Sequence, residues 1–157
     1  MKIVFYYLSG KKSDWSEQVS DEYLKKLSRY FEVEKTAVKS VSEGRENSKE
    51  KQKYEAEALL KKIQAKDYVV LFDEAGKLAK NSVDFSKLLI SILSNQNQRI
   101  VFVIGGPYGF ADDIKKRAQL KLSLGPLTMN HHLALVVALE QVYRAITIWK
   151  NIPYHNS

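Results

Sequence analysis

The chain has 157 residues, no cysteine and a formal charge of +7 at pH 7. At this length it reads as one domain spanning 1–157 and can bury roughly 70% of its unfolded surface without a covalent staple. The missing thiol excludes disulfides and thiolate metal sites and suits a reducing, cytoplasmic setting. The basic balance points to a polyanionic partner such as nucleic acid, although Lys11–Lys12, Lys25–Lys26, Lys61–Lys62 and Lys115–Arg117 are scattered rather than gathered into one tract.

The opening run, Lys2–Leu8 (KIVFYYL), is β-branched and aromatic and predicts a strand. It is too short for a signal segment or a membrane span. Gly10 and Ser13–Asp14 end it, and Ser13 or Asp14 caps a helix to about Tyr30, with Trp15, Val19, Tyr23, Leu24 and Leu27 at helical spacing. Phe31–Val38 alternates and predicts a short strand. The polar stretch after it holds a loop around Ser42–Ser48, and Ser48–Gln64 predicts a helix with Tyr54, Ala58, Leu59 or Leu60, and Ile63 as its apolar edge. Asp67–Asp73 (DYVVLFD) predicts a buried strand with Glu74–Lys77 as its exit turn. A helix follows from Ser82 or Asp84, burying Phe85, Leu88, Leu89, Ile92 and Leu93.

Arg99–Ile104 is apolar on both faces, as a central parallel strand would be. Ala111–Ala118 predicts a short helix, Leu120–Leu124 a short strand and His131–Lys150 the last helix. Strands alternating with helices predict an α/β fold, a mainly parallel sheet flanked by helices.

Chemistry concentrates in the last third. Gly105-Gly106-Pro107-Tyr108-Gly109 directly follows the central strand. By pattern alone it is an ordinary tight turn; as a site, it lies where ligands bind in such sheets, and its glycines allow close backbone approach. Neither GxxxxGK[ST] nor GxGxxG is present, so it is not a phosphate loop of either kind. Leu122–Asn130 (LSLGPLTMN) is a second loop at a strand end. It is either a plain connection burying Leu124 and Leu127 or a cradle of backbone groups for a flat, partly apolar ligand. The final helix is apolar nearly all round and about 30 Å long at about 1.5 Å per residue. Glu140, Gln141 and Arg144 at its middle argue against a membrane, and a second apolar face suits self-association. His131 and His132 diverge by about 100° on a helix, and no HxxxH spacing accompanies them, so no metal site is expected.

The runs V-I-G-G-P-Y-G, L-S-L-x-x-L-T-x-x-H and L-E-Q-x-Y-R-A-x-x-I-x-x-x-x-P-Y-H together resemble the RlmH (YbeA-like) family, the rRNA pseudouridine N3-methyltransferases of the large subunit within the SPOUT superfamily. KIVFYYLSGKKSDW and the FDEAGK turn resemble that family's opening and its LDxxGK turn, so the likeness spans essentially the whole chain.

The resemblance implies a parallel α/β domain of SPOUT type with a C-terminal trefoil knot. It implies a homodimer packed through the last helix, with no membrane and no metal, acting in the cytoplasm on ribosomal RNA or the ribosome. It implies S-adenosylmethionine held by Phe72, Gly105, Gly106 and the run Leu124, Gly125, Pro126, Leu127, Thr128 and Met129, with Phe72 standing where the family usually has leucine. Tyr154 and His155 fall on the RNA-facing tail. His155 and His131 are the candidates by type for taking the proton from N3. The sequence departs from the family pattern at Tyr108 (usually acidic), Asn130 (commonly proline), Ala134 (often arginine) and Asn156 after the tail histidine. These departures leave a second reading, a knotted RNA- or ribosome-binding protein without catalysis.

Overall fold

The computed structural model describes residues 1–8, 13–39, 47–95 and 98–156. The expected Gly10 break, and residues 42–46 of the loop expected around Ser42–Ser48, lie outside them. The elements run β1 (Lys2–Leu8), α1 (Asp14–Leu27), β2 (Glu32–Val38), α2 (Ser48–Lys62), β3 (Tyr68–Leu78), α3 (Ser82–Asn95), β4 (Ile100–Ile104), α4 (Asp112–Arg117), β5 (Leu120–Ser123) and α5 (His131–Trp149). The strands form one five-stranded sheet in the order β2-β1-β4-β3-β5, every pairing parallel.

Alternation along each strand sorts the core into two layers. Ile3, Phe5, Val70, Phe72, Phe102, Ile104 and Leu122 face α1, α3 and α5. Val4, Tyr6, Val69, Leu71, Val101 and Val103 face α2 and α4 through Ala56, Leu59 and Ile114. All five residues of β4 are buried, which is why it reads as an unbroken apolar run. At the amino ends of β3 and β4, buried Asp67 takes two hydrogen bonds from Arg99, at 2.9 and 2.6 Å, and one from the Gln64 amide at 2.7 Å. That end of the sheet is thereby closed with its charges paired.

Three expectations need correction. The segment Glu74–Lys77 does not end β3: the strand continues to Leu78, and its pairing with β5 shifts so that Phe72 and Lys77 both stand opposite Leu122. The intervening residues form a bulge, and Gly76 is what allows it. A Cβ there would lie 2.7 Å from the Lys121 carbonyl carbon and 2.8 Å from the Leu122 nitrogen. On α1, Trp15 is 50% exposed, and the buried residues are Ser16, Ser20 and Leu27. The serine hydroxyls donate to helix carbonyls (Ser20 Oγ to Ser16 O, 2.5 Å), so small polar residues line that contact. On α2, Tyr54 is exposed and Ala56 and Leu59 carry the buried edge.

α5 packs between α1 and α3. It buries Leu135, Ala138, Leu139, Val142, Ala145 and Ile146, and leaves Leu133 and Trp149 exposed. No helix among the described residues is long and apolar enough to cross a membrane.

Candidate active site

The bulged middle of β3 and the carboxyl ends of β4 and β5 converge on a cavity of about 340 Å³. Phe72 through Ala75 form one wall. Ile104, Gly105, Gly106, Pro107, Gly109 and Phe110 form the second. Leu124, Gly125, Leu127, Thr128 and Met129 form the third, and His131 and Ala134 close it from the start of α5.

Each loop is shaped by its sequence. After β4, the Gly109 amide donates to the Gly106 carbonyl at 3.3 Å, which puts Pro107 and Tyr108 at the centre of a turn. Gly109 has φ +76°, open to glycine at little cost. A Cβ on Gly105 would meet the Phe110 ring at 2.9 Å, and one on Gly106 would meet the Glu55 carboxylate at 2.8 Å. After β5, the Ser123 hydroxyl accepts from the Gly125 amide and donates to its carbonyl, both at 3.0 Å. Gly125 has φ +133° with open space where a Cβ would stand, so conformation rather than crowding requires glycine. The Asn130 side chain then accepts from the His132 amide at 2.9 Å and caps α5. The departure from proline at this position therefore retains a helix start.

His131 sits on the cavity wall, and its Nε2 is buried without a hydrogen-bond partner. Desolvation, and secondarily the neighbouring His132, lowers its pKa below the ordinary value, so the imidazole is neutral near pH 7. The two rings lie 4.1 Å apart. Among the described residues, the other buried side-chain atom without a partner is Glu55 Oε2, behind Gly106. Burial raises the Glu55 pKa, opposed by Lys51. Such groups are uncommon enough to need a reason, and here both flank one cavity.

Of the residues expected to hold a cofactor, Phe72, Gly105, Gly106, Leu124, Gly125, Leu127, Thr128 and Met129 meet at this cavity; Pro126 is exposed and not on its wall. The tail residues lie elsewhere. Asn151 adopts φ +55°, and the Ile152 amide donates to the Thr147 carbonyl at 2.9 Å, turning the chain back along α5. There Arg144 donates to Glu140 Oε1 at 3.0 and 2.6 Å, stands 3.1 Å from His155 Nδ1 and stacks 4.8 Å from the Tyr154 ring centroid. The Tyr154 hydroxyl donates to Glu140 at 3.1 Å, and its ring meets Tyr143 edge-on at 4.9 Å. Thirteen residues of α5, about 20 Å of helix, separate Arg144 from His131. His155 and Tyr154 are therefore remote from the cavity of their own chain.

Sequence reasoning missed Asp73, Glu74, Ala75, Phe110 and Ala134 on the wall. The available signal for the first three was their place next to Phe72 in the chain. For Phe110 and Ala134 only the folded arrangement supplies it.

An open parallel sheet with glycine loops around a ligand-sized cavity at the strand ends is a ligand-binding α/β architecture, and the comparisons narrow it to methyltransferases. A family model described as "Predicted SPOUT methyltransferase" matches residues 1–155. A solved Legionella pneumophila protein, described as a "putative methyltransferase" in complex with the bound cofactor SAM, has a similar fold: TM-score 0.51, 15% identity, covering 93% of this chain and 66% of that one. Within that class the relatives are narrower. The Ribosomal RNA large subunit methyltransferase H of Bdellovibrio bacteriovorus is 43% identical over 156 residues, 99% of both chains. That of Parabacteroides distasonis is 36% identical over 157 residues, again 99% of both. The chain belongs to this SPOUT family of ribosomal RNA large subunit methyltransferases H.

Proposed function

We propose that this chain, acting as one domain in the cytoplasm, transfers a methyl group from S-adenosylmethionine to N3 of a pseudouridine in large-subunit ribosomal RNA. The observation that carries the reading is the cavity formed by the two glycine loops, in a chain whose relatives are named for that class of RNA. When bound, S-adenosylmethionine supplies a methyl group on a cationic sulfonium. The residues present suit it. Phe72, Ile104, Leu124 and Met129 offer apolar surface, the open space beside Gly125 permits close approach, and Asp73 and Glu74 complement positive charge. Pro126, outside the wall, acts only through the shape of its loop.

N3 of pseudouridine lies between two carbonyls and is weakly acidic. A neutral imidazole on the wall can take that proton, so we assign the acceptor role to His131 rather than His155. Positioning of the base against the methyl group can supply much of the acceleration. We further propose that α5 threads a trefoil knot and that two copies pair along it. Leu133 and Trp149, 43% and 48% exposed, supply apolar surface for that pairing. Each tail, with Tyr154 and His155, would then stand at the RNA-facing rim of the partner's cavity.

Calorimetric titration of the wild type with S-adenosylmethionine should give micromolar-range binding. Ribosomes lacking the modification, incubated with protein and labelled cofactor, should then acquire one methyl group that mass spectrometry maps to a pseudouridine. Binding without transfer would favour the non-catalytic ribosome-binding reading. No binding would remove the enzymatic one.

A further inference from the structure

Tyr108 occupies the apex of the Gly106–Gly109 turn. Its neighbours Pro107 and Gly109 line the cavity, but its own side chain does not. It belongs to neither hydrophobic cluster and is 38% exposed. Yet it is held. The Gln52 side-chain amide donates to its carbonyl, and Lys51 Nζ donates to its hydroxyl at 3.3 Å while standing 5.1 Å from the ring centroid. α2 therefore fixes an aromatic ring on the rim with water on one side and an ammonium group beside it.

A packing role does not account for an aromatic ring in this position. A role toward RNA does. A nucleobase whose N3 enters the cavity has left its stack. The bases beside it lose a stacking partner, and exposed aromatic rings are what proteins offer such bases. A lysine next to the ring meets the phosphate that accompanies the base; its ammonium has donors beyond the one given to the hydroxyl. Asp73 and Glu74 on the β3 wall repel a phosphate there, which leaves the Lys51 side as the approach for the strand. We propose that Tyr108 is a stacking platform for an unpaired ribosomal RNA base adjoining the target nucleotide, with Lys51 contacting the adjoining phosphate. This rests on the reading of the chain as an rRNA methyltransferase.

The test is steady-state methyl transfer to unmodified ribosomes by wild type, Tyr108→Ala and Tyr108→Trp, with calorimetric cofactor affinity measured for each. Stacking predicts that Tyr108→Ala raises KM for the ribosome about five- to hundredfold, with kcat and cofactor affinity within about twofold of wild type. Tyr108→Trp should restore KM, because an indole stacks at least as well. An unchanged KM in Tyr108→Ala, a Tyr108→Trp variant no better than alanine, or a loss of cofactor affinity that tracks the loss of activity would overturn the platform and leave Tyr108 a brace of its loop. A wild type that binds cofactor but methylates no ribosomal RNA would overturn the parent reading and this one together.

Discussion

The two ends of α5 are opposites. Around its amino end two buried polar atoms lack partners: Nε2 of His131 on the helix itself and Oε2 of Glu55 on α2, behind Gly106. At its carboxyl end Arg144, Glu140, Tyr154, Tyr23 and His155 satisfy one another. One helix thus joins a region with unmet hydrogen-bonding capacity to a region with little left over. Unmet capacity in a buried place costs stability unless a ligand meets it. The asymmetry supports the proposed placing of the ligand at the amino end, while at the carboxyl end the chain supplies its own partners.

That contrast can be broken from either end. The largest effect is expected from Gly105→Val, whose side chain must displace the Phe110 ring from 2.9 Å. Calorimetry should show cofactor binding abolished, with overpacking costing about 1–3 kcal/mol in thermal unfolding. Next is Arg144→Ala, which strips Glu140 and Tyr154 of their shared partner. The ion pair is partly exposed, with side chains at 25% and 19%, so the expected loss is about 1 kcal/mol. Carboxypeptidase should remove the tail faster, while cofactor affinity holds; a loss of affinity as large as that of Gly105→Val would dissolve the distinction between the ends.

The smaller effects depend on pH and have opposite signs. The folded pKa of His131 is lowered, so its contribution is present above the ordinary value of 6.5 and is lost as pH falls through the folded value. Unfolding midpoints should therefore drop on acidification below that range, and His131→Gln should flatten the drop. The folded pKa of Glu55 is raised, so its contribution is present below the ordinary 4.5 and is lost as pH rises through the folded value. Glu55→Gln should raise the midpoint at neutral pH by about 1–2 °C and leave it unchanged in acid.

Much of this was legible in the residues. The unbroken apolar run of β4 identified a strand buried on both faces, and the Gly-Gly-Pro and Gly-Pro signals located two of the three walls. The misses share a physical origin: each depends on a contact between distant segments. Ser16 and Ser20 read as polar, but their hydroxyls donate to the Ser13 and Ser16 carbonyls, which lets both be buried, Ser16 beside His132 of α5 and Ser20 beside Lys35 of β2. Gly76 reads as a turn glycine because proximity to Lys121 and Leu122 leaves no trace in local periodicity. The place of His155 beside Arg144, about 20 Å along the helix from His131, is likewise something motifs do not supply, because they list residues without distances.

Gly76 also says something about tolerance. It touches nothing in the cavity, yet the backbone of β5 lies against its α-carbon, and β5 is a four-residue edge strand with β3 as its sole neighbour. The loop from Leu124 to Met129 therefore hangs from a short hinge whose alignment depends on one missing methyl group. Gain of a side chain at position 76 is a lesion that would misplace the third wall of the site while leaving every residue of that wall unaltered. Inspection of the wall alone would score such a chain as intact.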